Sequence, residues 1–201
     1  MQALGYTKVD VLGFSIGGHI AQELLFHHGG LIRKAILAST MPQGGKGLTQ
    51  SKPEVIALAT KPVIELTDFL TLFFDQSSAS QKLGRAYIER RKVRRLDVEP
   101  ATSAQTMEAQ GKARKAWAEM DESQGLAKLK QVKQPVLVSN GSNDVMLPTG
   151  QSVSLYKNLP NAQLILYPDS GHGFLFQYPE LVAEHIRIFL DRSFQDWNVA
   201  D

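Results

Sequence analysis

The amino-acid sequence predicts an α/β fold: a mostly parallel sheet of about four strands with flanking helices, broken by one helical insertion. Three observations predict it. Short apolar runs rich in β-branched residues alternate with helix-period runs near both ends of the chain. One strand pattern turns into a helix pattern across a serine held between glycines, in DVLGFSIGGHIAQELL (residues 10–25). A long central stretch carries helical patterns only.

Residues 9–14 (VDVLGF) have the composition of a strand in a parallel sheet, buried on both faces. Ile16, Ile20, Leu24 and Leu25 then recur at helical spacing until Gly29 and Gly30 stop the helix. Residues 32–38 (IRKAILA) read as a second strand, closed by Ser-Thr-Met-Pro and the glycine-rich residues 43–47. Beyond it no strand-like run occurs until residue 135, and helical patterns cover 62–74, 79–96 and 101–120. A third strand at 136–139 (VLVS) ends in NGSND and is followed by a helix over 148–158. A fourth at 163–167 ends in PDSGHG and is followed by a helix over 179–193. The chain therefore divides into an α/β core, 1–47 with 126–201, and a helical insertion, 48–125.

A chain of 201 residues accommodates one domain with a full core and an inserted subdomain. Lys and Arg number 22 against 20 Asp and Glu, and a net charge of +2 gives no whole-molecule attraction to nucleic acid or an anionic membrane. Six cations crowd one predicted helix (Arg85, Arg90, Arg91, Lys92, Arg94 and Arg95). Tyr87 is the single aromatic among them, so the run reads as a solvated face. The absence of cysteine excludes disulfides, thiolate metal sites and a Cys nucleophile. No apolar run reaches the roughly 18 residues of a spanning helix, and MQALGYTKVD lacks a signal pattern. The expectation is a soluble, cytoplasmic protein with a small-molecule substrate, no nucleic-acid or membrane partner, no metal and no cofactor.

Gly13-Phe14-Ser15-Ile16-Gly17 fits G-x-S-x-G at a strand-to-helix turn, the context that gives the motif its meaning. The glycines on either side let strand and helix approach, and the turn lifts Ser15 Oγ clear of the sheet. The helix starting at Ile16 aims its N–H groups and positive dipole end at the same spot, which suits a developing oxyanion. A serine hydroxyl becomes a nucleophile only when a base takes its proton, and the base needs an orienting acid. Asp144 in NGSND and His172 in DSGHG each follow a strand, at the sheet edge where Ser15 sits. Asp121, in the insertion, and Asp169, in the histidine's own loop, are less well placed for the acid.

On these segments the chain resembles the carboxyl-terminal portion of the α/β-hydrolases, in their capped, serine-nucleophile, esterase- or lactonase-like branch. GFSIGG is similar to the family's nucleophile elbow, NGSNDVMLP to its acid loop and YPDSGHGFLFQYPE to its histidine loop. The insertion sits where the family places its cap. The resemblance implies Ser15 as nucleophile, His172 as general base and then acid, Asp144 as the group fixing the His172 tautomer, and the Ile16 N–H as half of an oxyanion hole. It implies cofactor-free cleavage of a small to medium apolar ester, thioester or lactone through an acyl-enzyme. Relatives with the same triad include perhydrolases, haloperoxidases and carbon–carbon bond hydrolases. Phe73, Trp117 and Phe174 are the candidate pocket residues. The aromatic run at 69–74 either lines an acyl pocket or forms the cap's own core.

The sequence departs from that pattern in one respect: the elbow follows the first strand seen here, where the family's follows the fifth. The earlier strands, and the loop giving the second oxyanion N–H, have no counterpart in it. The expected result is an open, apolar edge on the elbow strand, belonging either to a shortened chain or to a homodimer paired through that edge. The rival expectation for function is an impaired hydrolase remnant acting as a binding or interaction module.

Overall fold

The computed structural model describes residues 1–47, 51–93, 96–98 and 100–192. Arg94 and Arg95 of the basic run, and the predicted helix end at Ser193, lie outside the described residues. Strands β1 (Val9–Phe14), β2 (Ile32–Ala38), β3 (Val136–Gly141) and β4 (Ala162–Tyr167) form one sheet in the order β1-β2-β3-β4, with every pairing parallel. Parallel neighbours demand crossovers long enough to traverse the sheet, and helices supply them. The crossovers are α1 (Ile16–His28), the insertion, and α7 (Thr149–Asn158).

Alternation along the strands sends side chains to two opposite cores. Ala35, Leu37, Val136 and Val138 pack with Ala21 and Leu25 of α1 and Leu155 of α7 on one face. Ile36 and Leu137 pack on Phe189 on the other, and Ala38 joins Tyr167, Phe174 and Val182 there. That second layer is α8 (Phe174–Gln177) and α9 (Pro179–Asp191). Lys34 is buried in this layer, and its ammonium donates to the carbonyls of Phe189, Leu190 and Arg192, satisfying the end of α9.

β1 is not buried on both faces as its composition predicts. It holds the edge of the sheet, and Leu12 is half-exposed. Asp10 on this strand pairs with Arg33 of β2.

Between β2 and β3 lie α2 (Pro53–Ala59), α3 (Leu66–Phe73), α4 (Ser78–Val93), α5 (Ala104–Ala118) and α6 (Glu122–Leu129). The helix expected from residue 62 starts only at Leu66. There Glu65 and Asp68 form a reciprocal capping box. Helices α2 and α6 are not apparent in the periodicity, although Pro53 at N1 and Asp121 as N-cap mark their starts. The sequence boundary at 125/126 falls inside α6, whose Leu126 and Leu129 pack into the sheet's core. Among the described residues no helix is long and apolar enough to cross a membrane. In the basic run, Arg90 donates to the Phe176 carbonyl and lies over the Tyr87 ring, and Lys92 pairs with Glu89.

The glycines of the serine turn are not equivalent. A Cβ on Gly13 would lie 2.3 Å from the Gly17 carbonyl oxygen and 2.8 Å from the Gly18 Cα, both backbone atoms that cannot step aside. At Gly17 itself a Cβ meets nothing within 4 Å, so the room expected from both flanking glycines is needed only at Gly13. Gly13→Ala is therefore expected to cost about 3 kcal/mol or more, as overpacked sites do, whereas Gly17→Ala should stay within about 0.5 kcal/mol of the parent. Urea denaturation of the two variants checks this.

Candidate active site

Ser15 joins β1 to α1 in a single residue, at φ 55° and ψ −121°. A non-glycine residue at positive φ stores on the order of 1–3 kcal/mol of strain and persists only where its surroundings hold it. Here the Ser15 N–H donates to the Ala38 carbonyl at the end of β2 (2.9 Å), and its own carbonyl accepts from the Gly18 N–H (2.9 Å). Ile16 is the first residue of α1, where an N–H has no intrahelical acceptor.

Asp144 and His172 meet directly. His172 Nδ1 lies 2.8 Å from Asp144 Oδ2, and both side chains are almost wholly removed from water. The other carboxylate oxygen, Oδ1, accepts the N–H groups of Met146 and Leu147, each at 2.9 Å, which orients the carboxylate before it meets the ring. The imidazole is walled by aromatics: the Phe14 ring centroid is 5.0 Å from it, and Phe73 meets it edge-on at 5.3 Å. Ser15 follows Phe14 and stands at the same end of the sheet. No hydrogen bond joins its hydroxyl to His172 among the described contacts.

The two loops are tied by side chains that periodicity and motif did not single out. Asn140, wholly buried at the end of β3, donates through Nδ2 to the Leu147 carbonyl (3.3 Å) and Ser152 Oγ (3.1 Å), and its Oδ1 accepts the Gly141 N–H (2.8 Å). Ser39, at φ 44°, places its hydroxyl 2.8 Å from Asn140 Oδ1 and 2.9 Å from the His172 carbonyl. One hub thus reaches the acid loop through Leu147 and the histidine loop through Ser39. Position past a strand end was the one signal that could have marked them.

A cavity of about 490 Å³ opens beside Ser15. Ser15, Ile16, Met41, Met146 and Leu147 line it from the core, and Arg114 and Lys115 of α5 with Glu119 at its C-cap line it from the insertion. His19, one turn along α1 from Ser15, lines it too, stacked on Trp117 with ring centroids 4.6 Å apart and planes 8° apart. Burial, and then the Arg114 guanidinium, hold the His19 pKa at about 4 instead of the usual 6.5. Its Nε2 is buried with no hydrogen-bond partner.

The three candidate pocket residues fare differently. Trp117 is buried behind His19 and donates to the Pro42 carbonyl (3.0 Å), so it supports the cavity wall without facing Ser15. Phe73 sits against His172, and its carbonyl accepts the Gly173 N–H (2.7 Å). Phe174 is a correction. It is fully buried between Tyr167 and the α9 layer, because its apolar ring satisfies the core on the sheet face away from this cavity. The aromatic run at 69–74 packs on Tyr87 and Phe176. Of the rival acids, Asp121 caps α6 and Asp169 accepts a hydrogen bond from Ser77.

A family model described as alpha/beta hydrolase fold matches residues 1–179. The chain is 31% identical over 181 residues to a pimeloyl-[acyl-carrier protein] methyl ester esterase of Nitrosomonas europaea, covering 86% of this chain and 68% of that protein. It is 28% identical over 198 residues to a poly(3-hydroxyalkanoate) depolymerase of Ectopseudomonas oleovorans, covering 96% of this chain and 64% of that one. Among solved structures, an alpha/beta hydrolase fold protein from Chitinophaga pinensis superposes with a TM-score of 0.86 at 40% identity, over 96% of this chain and 68% of its own. The chain thus spans about two thirds of the length of each of these relatives.

Two outcomes follow from this geometry. Asn140→Ala strands several buried polar partners and should cost about 2–4 kcal/mol in urea denaturation. For His19, the unfolded chain binds a proton between pH 6.5 and 4 that the folded chain refuses, so stability falls as pH drops through that window. At pH 4.5 the loss from this group is about 2 kcal/mol relative to pH 7, by linkage. His19→Phe, which keeps the stack and removes the titration, should flatten the parent's stability–pH curve by that amount.

Proposed function

The chain belongs to the α/β-hydrolase fold family and is an enzyme of it, and on that premise we propose that it is a serine hydrolase cleaving a small to medium carboxylic ester, thioester or lactone through an acyl-enzyme. The observation that carries the reading is the dry Asp144–His172 pair, held at the same sheet edge as the strained turn that presents Ser15. Esterase relatives support it.

In this reading Ser15 Oγ attacks the substrate carbonyl as His172 Nε2 takes its proton. Asp144 holds the Nδ1–H tautomer and stabilises the imidazolium that forms. The oxyanion of the tetrahedral intermediate faces the Ile16 N–H at the positive end of α1. Collapse expels the alcohol or thiol, which takes the proton from His172. Water, deprotonated by the same imidazole, then attacks the acyl-enzyme and releases the acid and free Ser15. Apo catalytic hydrogen bonds are commonly long and tighten only with substrate, which accommodates the missing Ser15–His172 bond.

The deciding experiment is fluorophosphonate labelling followed by peptide mass spectrometry over residues 9–33. Stoichiometric modification of Ser15 is expected, absent in Ser15→Ala. Asp144→Asn should lower turnover of a p-nitrophenyl ester by on the order of 10⁴-fold, as loss of the correct tautomer does elsewhere. A folded sample that does not label at Ser15 overturns the reading in favour of a binding or interaction module.

A further inference from the structure

The cavity beside Ser15 carries a charge asymmetry that ester cleavage does not require. Its core-side wall is apolar, from Ile16, Met41, Met146 and Leu147. Three charged side chains stand on the α5 wall. Lys115 and Glu119 face one another at 3.7 Å, one helical turn apart, and offset each other's charge in water. Arg114 is half-buried and has no carboxylate partner among the described residues. The net charge on the wall is therefore that of one guanidinium.

The second observation is His19. It is 6% exposed, its ring lines the cavity, and its pKa near 4 keeps that ring neutral, so it adds no second cation to the wall. Trp117 stacked on its face holds the ring in place. One unmatched cation in an otherwise apolar wall fits one anionic ligand group. A carboxylate accepts from a guanidinium fork, and does so best where apolar walls exclude water.

We propose that this cavity takes an ester whose short apolar chain ends in a carboxylate, received by the Arg114 guanidinium. Arg114 is near enough to His19 to depress its titration, and His19 lies four residues beyond Ser15, about 6 Å along the helix axis. The charged end is thus held beyond the first turn of α1, and the chain between it and the reacting carbonyl lies against Met41, Met146 and Leu147. The proposal rests on the serine-hydrolase reading for which bond is cleaved, but not for how the ligand is held.

The test measures binding apart from turnover. Calorimetric titration of Ser15→Ala protein compares monomethyl adipate with methyl hexanoate, which has the same number of acyl carbons and no charge. The half-ester is expected to bind at least tenfold more tightly. Arg114→Gln in the same background should bring the two ligands within about twofold of each other, with the melting temperature confirming that the variant is folded. Lys157→Gln, an exposed cation on α7 away from the cavity, should leave the ratio unchanged. Equal affinities, undetectable binding of the half-ester, or a preference that survives Arg114→Gln would each overturn the proposal. If the preference is lost equally in Lys157→Gln, bulk charge explains it and the site does not exist. Fluorophosphonate labelling distinguishes the parent reading: a Ser15 that labels without charge preference leaves the hydrolase standing and removes only the carboxylate site. A charge preference with no labelling does the reverse.

Discussion

The single-residue turn at Ser15 sets most of what surrounds it. A strand must end and a helix begin without a connecting loop, which forces the Gly17 carbonyl against Gly13 and Ser15 into positive φ. That conformation is held from outside by parallel pairing of Phe14 with Ala38 and by the Ser15 N–H bonded to the Ala38 carbonyl. The strain is of the same order as the one or two hydrogen bonds that hold it. The Ser15 hydroxyl is therefore presented by the seating of β1 on β2. Sheet pairing and the strained turn are thus coupled.

The other half of the site is organised differently. Asp144 and His172 stand on loops, and loops at strand ends are ordinarily the less stable parts of an α/β domain. Here buried polar bonds substitute for regular structure. Asn140 satisfies Leu147, Leu147 and Met146 orient Asp144, Asp144 meets His172, and the single Ser39 hydroxyl proton is shared between the His172 carbonyl and Asn140 Oδ1. In a low-dielectric interior such a ring of bonds is strong when complete and costly when broken. It makes the imidazole position a property of the whole loop pair rather than of one contact.

This difference explains what the sequence could disclose. The four strands, the serine turn and the loops that carry Asp144 and His172 are written in local patterns: β-branched runs, glycine placement, and a titratable residue in the loop after β3 and after β4. The structure brings Asp144 and His172, each read from its place past a strand, within 2.8 Å of one another. Asn140 and Ser39 carry no local pattern, since a buried polar side chain looks in sequence like any turn residue. Phe174 was misread for the converse reason. It follows the histidine in sequence, but its backbone enters α8, and the ring turns toward Tyr167 on the far face of the sheet. Helices α2 and α6 were missed because they are short, at 7 and 8 residues, and hold too few apolar positions for a period to emerge.

The insertion touches both halves of the site through different chemistry. On one side α3 and α4 stack aromatic rings on the histidine loop, Phe73 against His172 and Tyr87 against Phe176. On the other, α5 lays Trp117 on His19, one turn from Ser15, and anchors its indole to the Pro42 carbonyl. Trp117 also packs against Met41 and Leu147, so α5, which carries Arg114, bears on the Asp144 loop as well as on His19. The electrostatic reach of a single guanidinium falls several-fold between a dry cavity and water. The same helix that walls the cavity therefore also sets how strongly the Arg114 charge is felt inside it.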